Sequence, residues 1–134
     1  MKIVVIDGQG GRLGQLIVEG IKKEAMKADI YAIGTNSIAT SAMLKAGADF
    51  GATGENPVIV ACRDADVITG PIGILSADSL LGEITPAMAT AVGQSRAIKL
   101  LLPVSQCNNR VVGVKLLTMG EMVGETIEKL KELF

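Results

Sequence analysis

The segment Gly8-Gln9-Gly10-Gly11-Arg12-Leu13-Gly14 is the part of the chain best suited to chemistry, with four of the chain's 16 glycines inside one short stretch. Glycine lets a backbone turn sharply and bring its N–H groups up to an anion, and a helix that starts there adds the positive end of its dipole. Gly8 permits a tight turn off a strand. Gly10 and Gly11 let amides approach a phosphate, and Gly14 lets the following helix lie close to its sheet. Arg12 adds a charge-assisted contact to such a ligand. Asp7, directly before the first glycine, would repel a pyrophosphate unless it caps the loop or holds a magnesium ion.

The glycines fit G-x-x-G-x-x-G, and also G-x-G with a late third glycine. A dinucleotide fingerprint needs in addition an acidic residue about 20 positions on, to hold the ribose. The sequence offers Gly34-Thr35-Asn36 there. Thr35 and Asn36 can hydrogen-bond a ribose, but there is no carboxylate for NAD and no adjacent arginine for the extra phosphate of NADP. The Walker A lysine is absent as well. A third glycine-bearing loop, Gly70-Pro71-Ile72-Gly73, completes the expected crevice.

Four other residues attract notice. Asp78 and Glu83 suit a site role and a solvated surface role equally. Cys107, beside Asn108, Asn109 and Arg110, could be a reactive thiolate, but no histidine or other base accompanies it, so an inert thiol is the plainer reading. Lys99 sits inside an apolar run and either lies at an exposed sheet edge or reaches a carboxylate. No catalytic residue and no metal site is singled out.

These residues must be positioned by regular elements. The β-branched run at 2–6 predicts a strand buried on both faces. Apolar spacing predicts a helix over 13–27, a strand over 29–33 ended by Gly34, and a helix over 38–46 closed by Gly47. A short strand follows at 49–52, then a helix over 57–63 with Asn56 as N-cap and Pro57 first in the helix. A strand at 66–69 stops at Gly70-Pro71. Thr85-Pro86 opens a helix through 92, and strands follow at 97–103 and 111–114. Thr118 and Glu121 form a capping box for the last helix, with Met119, Met122, Val123, Ile127 and Leu130 on one face. Met43, Met88, Met119 and Met122 read as core or interface filler. Strands alternating with helices imply an α/β fold: one doubly wound, Rossmann-like domain over residues 1–134, its sheet mostly parallel with helices on both faces.

Composition narrows the function. The chain has no histidine, so the commonest general base and metal ligand is missing. A formal charge of −1 supplies no basic excess for nucleic acid. No apolar run approaches the 18 or so residues of a membrane span, and a cytoplasmic protein with two reduced thiols is expected. With 49% apolar and 20% charged residues, a homo-oligomer is expected too.

The loop Gly8-Gln9-Gly10-Gly11-Arg12-Leu13-Gly14 resembles the G-x-x-G-R-M-G cofactor loop of dihydrodipicolinate reductases, which implies a nicotinamide cofactor. Over its whole length the chain is similar to a family of small bacterial proteins described only as a domain of unknown function. The similar segments are 6–11, 34–48, 51–56, 70–74, 82–86 and 107–108. That resemblance implies a Rossmann-like fold and no particular activity. The expected function is binding of a nucleotide or other phosphorylated small molecule on the glycine loop, with NAD(P) or another nucleotide as the cofactor. The alternatives are an NAD(P)-dependent reductase acting as an oligomer and a non-catalytic oligomeric regulatory or structural protein.

Overall fold

The β-branched run Ile3-Val4-Val5-Ile6 is fully buried and forms most of strand β1 (Lys2–Asp7). Ile3 and Val5 point into one core, while Val4 and Ile6 point into a second. A strand covered on both faces belongs at the centre of a parallel sheet. The computed structural model describes residues 1–104 and 108–134. After β1 come α1 (Arg12–Lys23), β2 (Asp29–Gly34), α2 (Ser37–Lys45), β3 (Phe50–Thr53), α3 (Glu55–Cys62) and β4 (Val67–Pro71). A 3-10 turn (Ile72–Leu75), α4 (Pro86–Gln94), β5 (Ile98–Leu102) and α5 (Met119–Glu132) complete the chain.

All pairings are parallel, and the strands lie in the order β3-β2-β1-β4-β5. The chain winds outward from β1 to β3, then returns to the other side of β1 for β4 and β5. That is the doubly wound, Rossmann-like order, and its switch point falls between β1 and β4. One core packs Leu13, Ile17, Val18 and Ile21 of α1, Met43 of α2, and Val123, Ile127 and Leu130 of α5 against the sheet. The opposite core is built from Val58, Ala61 and Cys62 of α3, Met88 and Val92 of α4, and Ile74 and Ile84.

Element ends follow local chemistry. The Thr85 hydroxyl accepts from the Met88 N–H with Pro86 in the first turn of α4, and Thr118 and Glu121 make the expected capping box for α5. Most boundaries shift by a residue or two from those expected, and three of the differences have a clear local cause. α1 stops at Lys23 rather than 27 because Ala25 adopts φ +50° and turns the chain. α3 begins at Glu55, capped by Gly54 at φ +108°, so Asn56 is not its cap. Pro57 falls within that first turn, where no N–H is needed. β4 runs through Gly70-Pro71 instead of stopping there. Its pairing with β1 ends at Thr69, and Pro71 meets only Leu102 of β5, so the missing N–H interrupts no ladder to β1.

The strand expected at 111–114 does not form. Gly113 turns the chain at φ +84°, and Val112 and Leu116 are 96% and 100% exposed. β-Branched propensity without a partner strand does not make a sheet. Lys99 lies on β5, an edge strand, and its ammonium donates to the carbonyls of Ser95 and Ala97 at 2.6 and 3.3 Å rather than reaching a carboxylate. Among the described residues no helix is long and apolar enough to cross a membrane.

The contact of α5 with α1 makes a direct test. Leu130 is fully buried there, so Leu130→Ala should cost about 3 kcal/mol. Leu116→Ala should leave stability within about 0.5 kcal/mol. Urea unfolding of both variants checks the pair.

Candidate functional site

The glycine turn joins β1 to α1, and the Asp7 carboxylate holds both of its ends. Oδ1 accepts the Gly8 N–H at 2.8 Å and Oδ2 accepts the Gly14 N–H at 2.7 Å. Gly11, the N-cap, has no side chain to offer, so Asp7 caps the helix from seven residues upstream. Gly11 itself adopts φ +73°, and a Cβ there would come within 2.7 Å of Ala39 Cα. Burial pushes the Asp7 carboxyl above its ordinary value. The Gly14 and Gly8 amides pull it down and the nearby Glu83 charge adds to the rise; the net direction is upward.

A second carboxylate lies on the other side of the turn. The segment between the 3-10 turn and α4 folds back over Gly8, anchored by buried Ile84 and by the Asp78 N–H donating to the Ile84 carbonyl at 2.7 Å. It brings Glu83 to the tip of β2. Glu83 Oε1 accepts from the Gln9 N–H at 3.0 Å, from Thr35 Oγ1 at 2.6 Å and from Asn36 Nδ2 at 2.7 Å. Burial raises the Glu83 carboxyl, but donation from Thr35, Gln9 and Asn36 outweighs it and holds the group below its ordinary value. Gly8 is confined beneath this segment: a Cβ there would stand 2.5 Å from Thr35 Oγ1 and 3.0 Å from Leu80 Cδ1.

A crevice of about 170 Å³ opens at the β1/β4 switch point, lined by Asp7, Gln9, Gly10, Arg12, Leu13, Pro71, Gly73, Leu80, Val104 and Met119. Among the described residues the N–H groups of Gly10 and Arg12 have no acceptor; Arg12 is exposed and lines the crevice. Ligand sites in this fold lie outside the carboxyl ends of the strands at such a switch point.

The structure therefore divides the residues expected from sequence. Asp7, Gln9, Gly10, Arg12, Leu13, Pro71 and Gly73 share the crevice. Gly8, Gly11 and Gly14 shape the turn. Thr35 and Asn36 stand with Glu83 at the tip of β2. Gly34 packs against Thr40, Gly70 against the Ile6 carbonyl, and Ile72 enters the 3-10 turn without lining the crevice. Leu80, Val104 and Met119 join the site without a sequence signal to mark them. Asp78 is exposed at φ +66°, and Cys107 lies outside the described residues.

A larger and more open groove of about 560 Å³ runs between α3 and α4, past Cys62, Arg63 and Arg96, and includes none of the glycine-turn residues. Burial pushes the Cys62 thiol up to about 11, so it is not a nucleophile at neutral pH. Among the described residues no three His, Cys, Asp or Glu side chains are grouped to hold a metal ion.

Comparison with known proteins finds one family whose model, Domain of unknown function (DUF3842), matches residues 2–134. No curated protein matches the chain. A solved structure that it resembles is a dodecameric FMN-dependent Ubix-like decarboxylase from Escherichia coli O157:H7, 16% identical, with a TM-score of 0.48, covering 98% of this chain and 76% of that one.

The two carboxylates respond to pH with opposite sign. Glu83 titrates below its ordinary 4.5 in the fold, so its contribution to stability is complete above that value and is lost as pH falls through the folded value. Asp7 titrates above its ordinary 3.8, so its contribution is complete below 3.8 and is lost as pH rises through the folded value. Urea unfolding of wild type and Glu83→Gln down to about pH 3 should show a gap that narrows as the pH falls below about 4.5, while at higher pH the gap also carries the change in Asp7, whose carboxyl loses the upward push of the Glu83 charge in the variant. A gap that stays constant to the acid end contradicts this assignment.

Proposed function

We propose, since the chain belongs to the family described as Domain of unknown function (DUF3842) and that description names no reaction, a function argued from the crevice: binding of a compact phosphorylated small molecule, such as the phosphate portion of a nucleotide. The observation that carries this reading is the pair of N–H groups of Gly10 and Arg12, which have no acceptor among the described residues and belong to residues that line the crevice at the switch point. Unpaired amides at a helix start, next to a guanidinium, are an anion site.

Size and lining refine the ligand. A volume of about 170 Å³ is below the roughly 300 Å³ at which drug-sized ligands are enclosed. A phosphate with a small attached group fits that volume. Leu13, Pro71, Leu80, Val104 and Met119 give the crevice an apolar wall for the uncharged part. Asp7 does not bar a phosphate outright, because its oxygens are already turned to the Gly8 and Gly14 amides.

Gly10 separates folding from binding. A Cβ added there meets nothing within 4 Å, so Gly10→Val should unfold within about 0.5 kcal/mol of wild type while blocking close approach of a phosphate. Thermal shift with inorganic pyrophosphate, AMP, ADP, NADH and NADPH at millimolar concentration tests the pair. At least one probe should stabilise wild type and none should stabilise Gly10→Val, while Arg12→Ala should weaken the binding probe about tenfold, the scale of one lost charged hydrogen bond. If no probe shifts the wild-type melting temperature, the reading fails.

A further inference from the structure

We propose that the Gln9 N–H, the Thr35 hydroxyl and the Asn36 side-chain amide form a second anion subsite, filled here by the chain's own Glu83, which an anionic group of the ligand displaces. This inference rests on the reading of the crevice as a phosphate site and extends it to a ligand bearing two linked anionic groups.

Three donors from two different elements converge on a single oxygen, Glu83 Oε1, at 3.0, 2.6 and 2.7 Å. They are set in place by contacts that do not involve Glu83. Asn36 is the N-cap of α2 and accepts the Ala39 N–H at 2.9 Å, and its amide also donates to the Gln9 carbonyl at 2.9 Å. The Thr35 N–H donates to the Asp7 carbonyl at 3.0 Å. The cluster thus keeps its shape when the carboxylate leaves, as a ligand subsite must.

Glu83 is held differently. It ends a segment in which Asp78, Leu80 and Leu81 all adopt positive φ, between +54° and +66°, a conformation that non-glycine residues rarely keep unless other contacts enforce it. Leu81 at its tip is 96% exposed. On the near side Ser79 donates to the Gly73 carbonyl, and on the far side Ile84 is fully buried. Between these anchors the segment is closed on itself, the Gly82 N–H donating to the Asp78 and Ser79 carbonyls and the Glu83 N–H to the Leu80 carbonyl, and the Glu83 side chain is its polar tie to the turn.

Gln9 links the two subsites: its N–H donates to Glu83 and the residue also lines the crevice, one position before Gly10 and about 3.8 Å from it along the backbone. A diphosphate can span them, whereas a single phosphate fills only the crevice.

Binding of inorganic pyrophosphate and of inorganic phosphate, followed by titration calorimetry for wild type, Arg12→Ala, Glu83→Ala and Glu83→Gln, tests the proposal. Both Glu83 variants should bind pyrophosphate about tenfold or more tightly than wild type, since a competing like charge is removed, with phosphate affinity changed far less. Glu83→Gln keeps the side-chain shape should the alanine variant unfold. If wild type binds pyrophosphate and Arg12→Ala weakens it, but the Glu83 variants bind no more tightly, the second subsite is overturned while the crevice stands. Weaker binding by the Glu83 variants also overturns it, by making Glu83 a ligand contact. No binding by any of the four proteins overturns both.

Discussion

Everything at the carboxyl edge of this sheet depends on one buried carboxylate. Asp7 accepts the Gly8 amide with one oxygen and the Gly14 amide with the other, so a side chain from the end of β1 spans the turn and fixes the start of α1. A negative charge at a helix N-terminus is favoured by the macrodipole, and that interaction offsets part of the cost of burying it. The same bond limits what the turn can do next. With Gly8 and Gly14 committed to Asp7 and the Leu13 amide also acting on that carboxylate, the Gly11 N–H bonded to the Gly8 carbonyl and the Gln9 N–H bonded to Glu83, the anion capacity left on the turn reduces to Gly10 and Arg12.

Two carboxylates thus flank one short turn in contrasting surroundings. Asp7 is buried and held by amides alone, and desolvation dominates its protonation. Glu83 is half-buried and meets two side-chain donors as well as an amide, so hydrogen bonding prevails. Their charges oppose each other across the turn. Loss of the Glu83 charge from this place eases the burial of Asp7, and an incoming anion would restore the conflict unless Arg12 balances it.

The doubly wound order was legible in the sequence because it follows from local signals. The buried run in β1, the cap at Thr85-Pro86 and the capping box at Thr118 and Glu121 each depend on neighbours in the chain. The failures share the opposite property. Val111 to Val114 has strand propensity, yet propensity says nothing about whether a partner edge is within reach. Gly70-Pro71 reads as a stop, and only the register with β5 shows why the strand continues. Within the site, the glycine turn was legible because its residues are consecutive. The company of Leu80, Val104 and Met119 was not, since these are brought together only by the return of the chain beside β1. Glu83 carried a signal too weak to act on, being 47 positions from Asn36.

That separation bears on how the site works. Thr35 and Asn36 at the tip of β2 stand where a ribose-binding acid is expected in dinucleotide-binding relatives of this fold, and here the acid arrives from a distant loop. An acid on β2 itself would be as immobile as the strand that carries it. Glu83 instead ends a segment with three non-glycine residues at positive φ, so its position is a balance between backbone strain and the donors that receive it. Of the donors Gln9 is itself at φ +49°, but Asn36 is fixed as a helix cap and Thr35 by its N–H on the Asp7 carbonyl, and they face an occupant on a strained support. In such an arrangement the occupant yields first, and the turn and strand keep their geometry while the loop exchanges one carboxylate oxygen for another anion.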